Sequence, residues 1–238
     1  MFGLVEWRGA GERCGAREKR LDGVRFLAVG IRRGDGLRAV WSLRTAARTL
    51  ERYGVTQAVF PRGFSLYERF AARGIVPVDV RPLREAAAAA IARRVMAQQE
   101  IAPRRATVAL CALRVTRAYA AAADTRYLQL CTAQGGWELS QTLRSRFGVA
   151  APVLRVPEGA DIVLCFDDAA EISAARGIVL PLGAASLRVT YGGERAEKCG
   201  GEPEQLLAAW YASLALRAEE ICVKRVAWDQ SANIGVER

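Results

Sequence analysis

The groups in this chain best suited to binding or moving charge gather in three short stretches. Arg114, Thr116 and Arg117 follow the apolar run Thr107–Ala112. Thr132, Gln134, Gly135 and Gly136 follow Tyr127–Cys131, and Asp167 and Asp168 follow Ile162–Phe166. Each apolar run has the length of a buried strand bounded by turn residues, so each set would stand at the carboxyl end of a strand. Open parallel α/β sheets bind their ligands there. Arg62 and Gly63, after Val55–Phe60, and Asp79 and Arg81, at the end of Ile75–Asp79, occupy comparable places in the first half.

The chemistry open to these residues is anion binding. Thr116 suits the cap of a short helix over Thr116–Ala123, where free N–H groups and a partial positive charge attract a phosphate or carboxylate. Arg114 and Arg117 would add charge-assisted hydrogen bonds. Gly135-Gly136 would open a second helix, Trp137–Phe147, at the same sheet edge. The competing reading is a turn without a ligand, its arginines solvated or paired with Asp167 and Asp168. That carboxylate pair could act as a general base, bind a cation, or cap a loop, the role Asp favours at such positions.

Other chemistries lack their residues. The chain has no histidine, so it lacks the commonest general base and the commonest metal ligand. No metal site is visible. The six cysteines show neither CxxC nor other metal-like spacing. Cys111, Cys131 and Cys165 fall inside expected strands and read as small hydrophobes. Cys14 and Cys199 lie in polar, glycine-containing stretches, and Lys198 beside Cys199 could lower its pKa; an incidental surface thiol explains it as well.

The 238 residues suit one large α/β domain or two small lobes, and 51% of them are hydrophobic. The longest apolar stretches are too short to cross a bilayer, and the N-terminus has no signal-peptide pattern; a cytoplasmic protein without a membrane partner is expected. The net charge of +10 is uneven: residues 1–150 carry +14 and residues 151–238 carry −4. A basic half of this kind attracts nucleic acid or anionic metabolites, and equally fits a solvated arginine-rich surface.

The elements that would position these groups alternate. Phe2–Arg8 and Gly23–Ile31 read as strands, the first at an edge and the two able to form a hairpin, with Gly9–Asp22 a loop between them. Leu37–Tyr53 has helical spacing, with Leu37, Val40, Trp41, Ala47 and Leu50 on an apolar side and Arg44, Arg48 and Arg52 on the other. That arginine stripe is the best local candidate for phosphate-backbone contacts. A strand at Val55–Phe60, a helix at Ser65–Arg73 and a strand at Ile75–Asp79 follow. A helix from Pro82 to about Glu100 leads into Thr107–Ala112. Further strands are expected around Pro152–Val156 and at Ile162–Phe166, Gly177–Leu182, Leu187–Tyr191 and Ile221–Ala227. Pro203 starts an amphipathic helix through Leu207, Trp210 and Leu214.

From Pro82 to Leu182 the order of elements resembles the cofactor-binding half of shikimate-dehydrogenase-like and methylene-tetrahydrofolate-dehydrogenase-like enzymes. The resemblance rests on IAPRRATVALCALRVTRAYAAAAD, RYLQLCTAQGGWELSQTLRSRFG and ADIVLCFDDAAEISAARGIVLPL. It implies a Rossmann-like lobe reached through a long helix, and a C-terminal helix packed back on the first lobe. The departures are specific. Dinucleotide binding needs glycines in the first strand–helix turn; here that turn is Ala112-Leu113-Arg114-Val115-Thr116-Arg117. The acid expected to hold the ribose after the second strand is missing from Cys131-Thr132-Ala133-Gln134. Classical NAD(P) binding is therefore not expected, and the cofactor is unknown.

The reading is an α/β fold: a Rossmann-like parallel sheet with helices on both faces, preceded by a smaller α/β lobe. Residues 1–100 form that lobe with a linker helix 82–100, residues 101–202 the Rossmann-like lobe, and residues 203–238 a helix and strand returning to the first lobe. One continuous sheet is the alternative. The expected function is binding of an anionic metabolite or nucleotide fragment by Arg114, Thr116, Arg117, Thr132, Gln134, Gly135, Gly136 and Arg62, with or without catalysis. A nucleic-acid-associated protein using the basic first 150 residues, and an enzyme using Asp167 or Asp168, are the alternatives.

Overall fold

The computed structural model describes residues 1–9, 15–34, 36–114, 127–167, 177–193 and 201–228. The chain divides into two compact units. One comprises Met1–Val80 with Gly193–Glu220, and the other Arg81–Gly192 with Ile221–Arg238.

The first unit is built on a five-stranded sheet. Its strands are β1 (Phe2–Trp7), β2 (Ala16–Leu21), β3 (Val24–Ile31), β4 (Gln57–Val59) and β5 (Val76–Pro77), in the order β2-β3-β1-β4-β5. β1 pairs in parallel with both β3 and β4, and β4 in parallel with β5. β1 is therefore central where an edge strand was expected, and its Leu4 and Val5 are fully buried. The hairpin is made instead by β2 and β3, which pair antiparallel through Asp22-Gly23, both at positive φ. A strand thus stands at Ala16–Leu21, within the stretch read as loop. Its sequence AREKRL offers no apolar face, as befits an exposed edge.

Helix α1 (Leu37–Arg52) packs on β3, and its phase corrects the sequence reading. Ala39, Ser42, Leu43, Ala46, Ala47 and Leu50 are buried, while Leu37 and Trp41 are 90% and 60% exposed. Small side chains let the helix come close to the sheet. A Cβ on Gly3 would stand 3.1 Å from a Leu50 methyl and 3.0 Å from Ala58 Cβ. Helix α2 (Glu68–Ala71) contributes Phe70, which meets Phe60 edge-on at 5.0 Å between ring centroids. Phe64 stacks on Phe60 at the same distance. The chain returns at the end with a helix, numbered α6 below (Pro203–Ala212), beside β4. Phe60 donates its N–H to Gln205 Oε1 (2.8 Å) and accepts from Glu202 N–H (2.8 Å). Trp210 is buried and donates to the Leu21 carbonyl (3.1 Å). Leu214 falls past the end of that helix and is 90% exposed, not on its apolar face.

The second unit opens with α3 (Arg81–Ala86) and α4 (Ala88–Gln98), two helices where one continuous helix was expected. Leu83, Ala87, Ile91 and Val95 form one buried line through both. β6 (Thr107–Arg114), β7 (Tyr127–Gln134), β8 (Ile162–Cys165) and β9 (Ile178–Pro181) form a sheet in the order β7-β6-β8-β9, every pair parallel. Helix α5 (Gly136–Phe147) follows β7 and stops at Gly148, which is left-handed. In place of the strand expected at Pro152–Val156, a single bridge joins Val153 to Leu130. A separate antiparallel pair joins β10 (Arg188–Tyr191) to β11 (Val223–Ala227). Gln98 ties β11 to α4 by donating to the Val226 carbonyl and accepting its N–H, both at 2.9 Å. An α/β, Rossmann-like architecture follows from the parallel order, in which the sheet's direction of growth reverses beside β6.

Candidate functional site

β6 and β7 run in register to Arg114 beside Gln134, so the two strands end at one edge of the sheet. The turn into α5 is built by its two glycines. Gly135 holds φ 73°, which a glycine adopts without strain. Gly136 is buried, and a Cβ there would stand 2.4 Å from Thr132 Oγ1 and 2.9 Å from Val153 Cγ1. The helix start is thereby pressed against the strand end. No side chain caps α5, so its first N–H groups have no side-chain acceptor within the cap. Thr132 Oγ1, at the same place, is buried and makes no hydrogen bond. Gln134 and Trp137 beside them are exposed, Trp137 by 68%.

On the far side of β6, Asp167 accepts the Leu113 N–H on Oδ2 at 2.7 Å. One carboxylate of the expected pair thus closes the end of β8 onto β6 at the switch point. Arg84 carries a buried charge that the sequence reading missed. It lies under the end of β9, where Nη1 donates to the carbonyls of Ala184 (2.8 Å) and Leu182 (3.3 Å). The Arg81 guanidinium lies over Gly183, where a Cβ would come within 2.1 Å of it. Arg84 sits one residue from the apolar line Leu83, Ala87, Ile91 and Val95, and nothing in that spacing marks it as turned inward.

Arg62 belongs to the first unit, where it is exposed after β4. Its backbone carbonyl accepts from Trp7 Nε1 (3.3 Å), and its charge acts on Glu202. Burial raises the Glu202 carboxyl above its ordinary value; Arg62 opposes this and Glu204 adds to it. Burial also raises the Tyr67 hydroxyl, as does Glu202, while a hydrogen bond with Gln205 lowers it. Perturbed groups at the carboxyl end of parallel strands are candidates for function. Glu202 and Tyr67 are far apart in sequence and only meet through the return of α6.

Thr116, Arg117, Asp168, Cys14, Lys198 and Cys199 lie outside the described residues. Cys111, Cys131 and Cys165 are buried as expected and stand in one row across β7, β6 and β8. At the ~4.8 Å spacing of strands, the outer two are roughly 10 Å apart, too far to share one ion. The hydrogen bond with Cys131 lowers the Cys111 thiol, but that with Cys165, together with burial, raises it to about 12. The bond with Cys111, with burial, raises Cys131 as well. Cys111 and Cys131 are thus held as thiols within a buried strip of the sheet. Among the described residues no group of His, Cys, Asp and Glu could hold a metal ion, and no helix is long and apolar enough to cross a membrane. A hollow of about 80 Å³ between β3 and α1, lined in part by Ser42, Thr45 and Thr49, is well below the volume of a small-molecule site.

No family model and no curated protein matches the sequence. Among solved structures the chain is similar to a shikimate 5-dehydrogenase-like protein, at 11% identity and a TM-score of 0.24. The match covers 69% of this chain and 64% of that one, so the chain spans less than two thirds of that protein's length.

Proposed function

We propose that the second unit binds a small anionic metabolite or a nucleotide fragment at the carboxyl ends of β6 and β7. The observation that carries this is the start of α5: an uncapped helix N-terminus beside Thr132 Oγ1, which is buried without a hydrogen-bond partner. A phosphate or carboxylate oxygen there would accept from the first α5 N–H groups and from the threonine hydroxyl together. The backbone of Arg114 reaches the same edge at the register position beside Gln134, and Glu138 stands in the first helical turn. Thr116 and Arg117, which follow Arg114 in sequence, are the further candidates for the same ligand. The reading requires binding only, and leaves Asp167 in its hydrogen bond to Leu113.

Thermal unfolding with phosphate, mononucleotides, sugar phosphates and NAD(P) tests it. A ligand at about 100 times its Kd adds ~2.7 kcal/mol, on the order of 5–10 °C for a chain of this size. Mononucleotides or phosphates should give that shift, and Thr132→Val should reduce it while leaving the unliganded midpoint nearly unchanged. A shift that survives both Thr132→Val and Arg114→Gln would place the ligand elsewhere. No shift across the panel would remove the proposal, and a shift with NAD(P) alone would show that the glycine-free turn accepts a dinucleotide.

A further inference from the structure

We infer that the outer face of α1 is a binding surface for single-stranded nucleic acid, with Trp41 stacking on a base and Arg44, Arg48 and Arg52 contacting phosphates. This stands on the first unit and is independent of the anion site proposed above. The inner face of α1 is spent on the sheet, through Leu43, Ala46, Ala47 and Leu50. At about 100° per residue, Leu37, Trp41, Arg44, Arg48 and Arg52 fall within roughly 80° of arc on the opposite side. All five are exposed, Trp41 by 60% and Leu37 by 90%.

Two features select the partner. The first is uncompensated charge. Glu51 is the only acid on α1 and is ion-paired with Arg73. Arg44, Arg48 and Arg52 make no ion pair with a carboxylate among the described residues. They recur every four residues, a step of ~6 Å along the helix, presenting a line of cations to a polyanion. The second is the indole in that line. A tryptophan among arginines offers a stacking platform to an unpaired base, the combination that binds single strands without sequence preference. A duplex keeps its bases stacked and cannot use the indole. A membrane-surface helix separates its cations from its apolar face, whereas here the indole and the guanidinium groups share one line.

The test is fluorescence anisotropy of labelled oligo(dT) and oligo(U) with the intact chain, over a range of salt. Binding is expected to weaken with salt, with a log–log slope of about −2 for three phosphate contacts on a single strand. Trp41→Ala should weaken binding about 5- to 150-fold. The triple variant Arg44→Gln, Arg48→Gln, Arg52→Gln should flatten the slope towards zero. All four side chains are exposed, so unfolding midpoints should match the parent and confirm that both variants fold. Absence of binding at low salt would overturn the inference, as would binding indifferent to Trp41→Ala or a preference for duplex DNA. Binding to phosphatidylserine vesicles without binding to oligonucleotide would overturn it in favour of a membrane surface.

Discussion

Glu202 and Glu6 show how two glutamates of one unit come to opposite pH behaviour. Burial raises Glu202 above 4.5. The folded state therefore holds its proton more tightly than the unfolded chain, so its contribution to stability is full below about 4.5 and is lost as the pH climbs through the folded value. Glu202→Gln removes that loss. Its stability relative to the parent should rise as the pH climbs above about 4.5 and level off above the folded value in urea titrations, and a difference independent of pH would show that Glu202 is not perturbed. Glu6 is also pushed up by burial, but hydrogen bonds and charge from Lys19 and Arg17 outweigh this and hold it below 4.5. Its contribution is present above 4.5 and is lost on acidification. Neither behaviour was legible in the sequence, because Glu6 on β1 meets Lys19 on β2 over the intervening β3, and Glu202 meets Arg62 across 140 positions of chain.

The β2–β3 hairpin shows how an element can be overlooked with its signal in plain view. Asp-Gly between two strands is a strong hairpin turn, yet AREKRL carries no alternation of apolar residues. An edge strand facing water needs none; it is held by its ladder to β3, from Ala16 beside Val29 to Leu21 beside Val24. Gly23 holds φ 84° with open space around a would-be Cβ, so Gly23→Ala is opposed by backbone conformation alone. It should cost about 1–2 kcal/mol in chemical denaturation, and a neutral result would show that the turn can change type. In α1 the opposite error arose. Large apolar residues were assigned to the core, but the sheet accepts the side bearing alanine, because close approach buries more of Leu43 and Leu50 than a face bearing Trp41 would allow.

The chain leaves the first unit at Val80, completes most of the second, and returns at Gly193 before ending in the second. Each unit thus depends on residues remote in sequence. The first needs Leu206, Leu207 and Trp210, all buried, together with the Gln205–Phe60 hydrogen bond. The second needs β11, the only partner of β10 among the described residues. A chain stopped after Gly192 should lose cooperative unfolding in both units, seen as a broad, shallow thermal transition by circular dichroism. A sharp transition at the parent's midpoint would show that the returning segment adds nothing to either unit.

Alternation of short apolar runs with helical spacing was enough to fix the α/β class, the four parallel strands from Thr107 to Pro181, and the glycine-marked start of α5. These features are local: a strand's period and a turn's glycine are written in consecutive residues. The centrality of β1, the outward turn of Trp41, the inward turn of Arg84 and the row of Cys131, Cys111 and Cys165 were set by tertiary structure. Each depends on which strand lies next to which, and on how closely a helix can approach a sheet. Both are settled by packing between segments distant in the chain, to which the period of any one segment is blind.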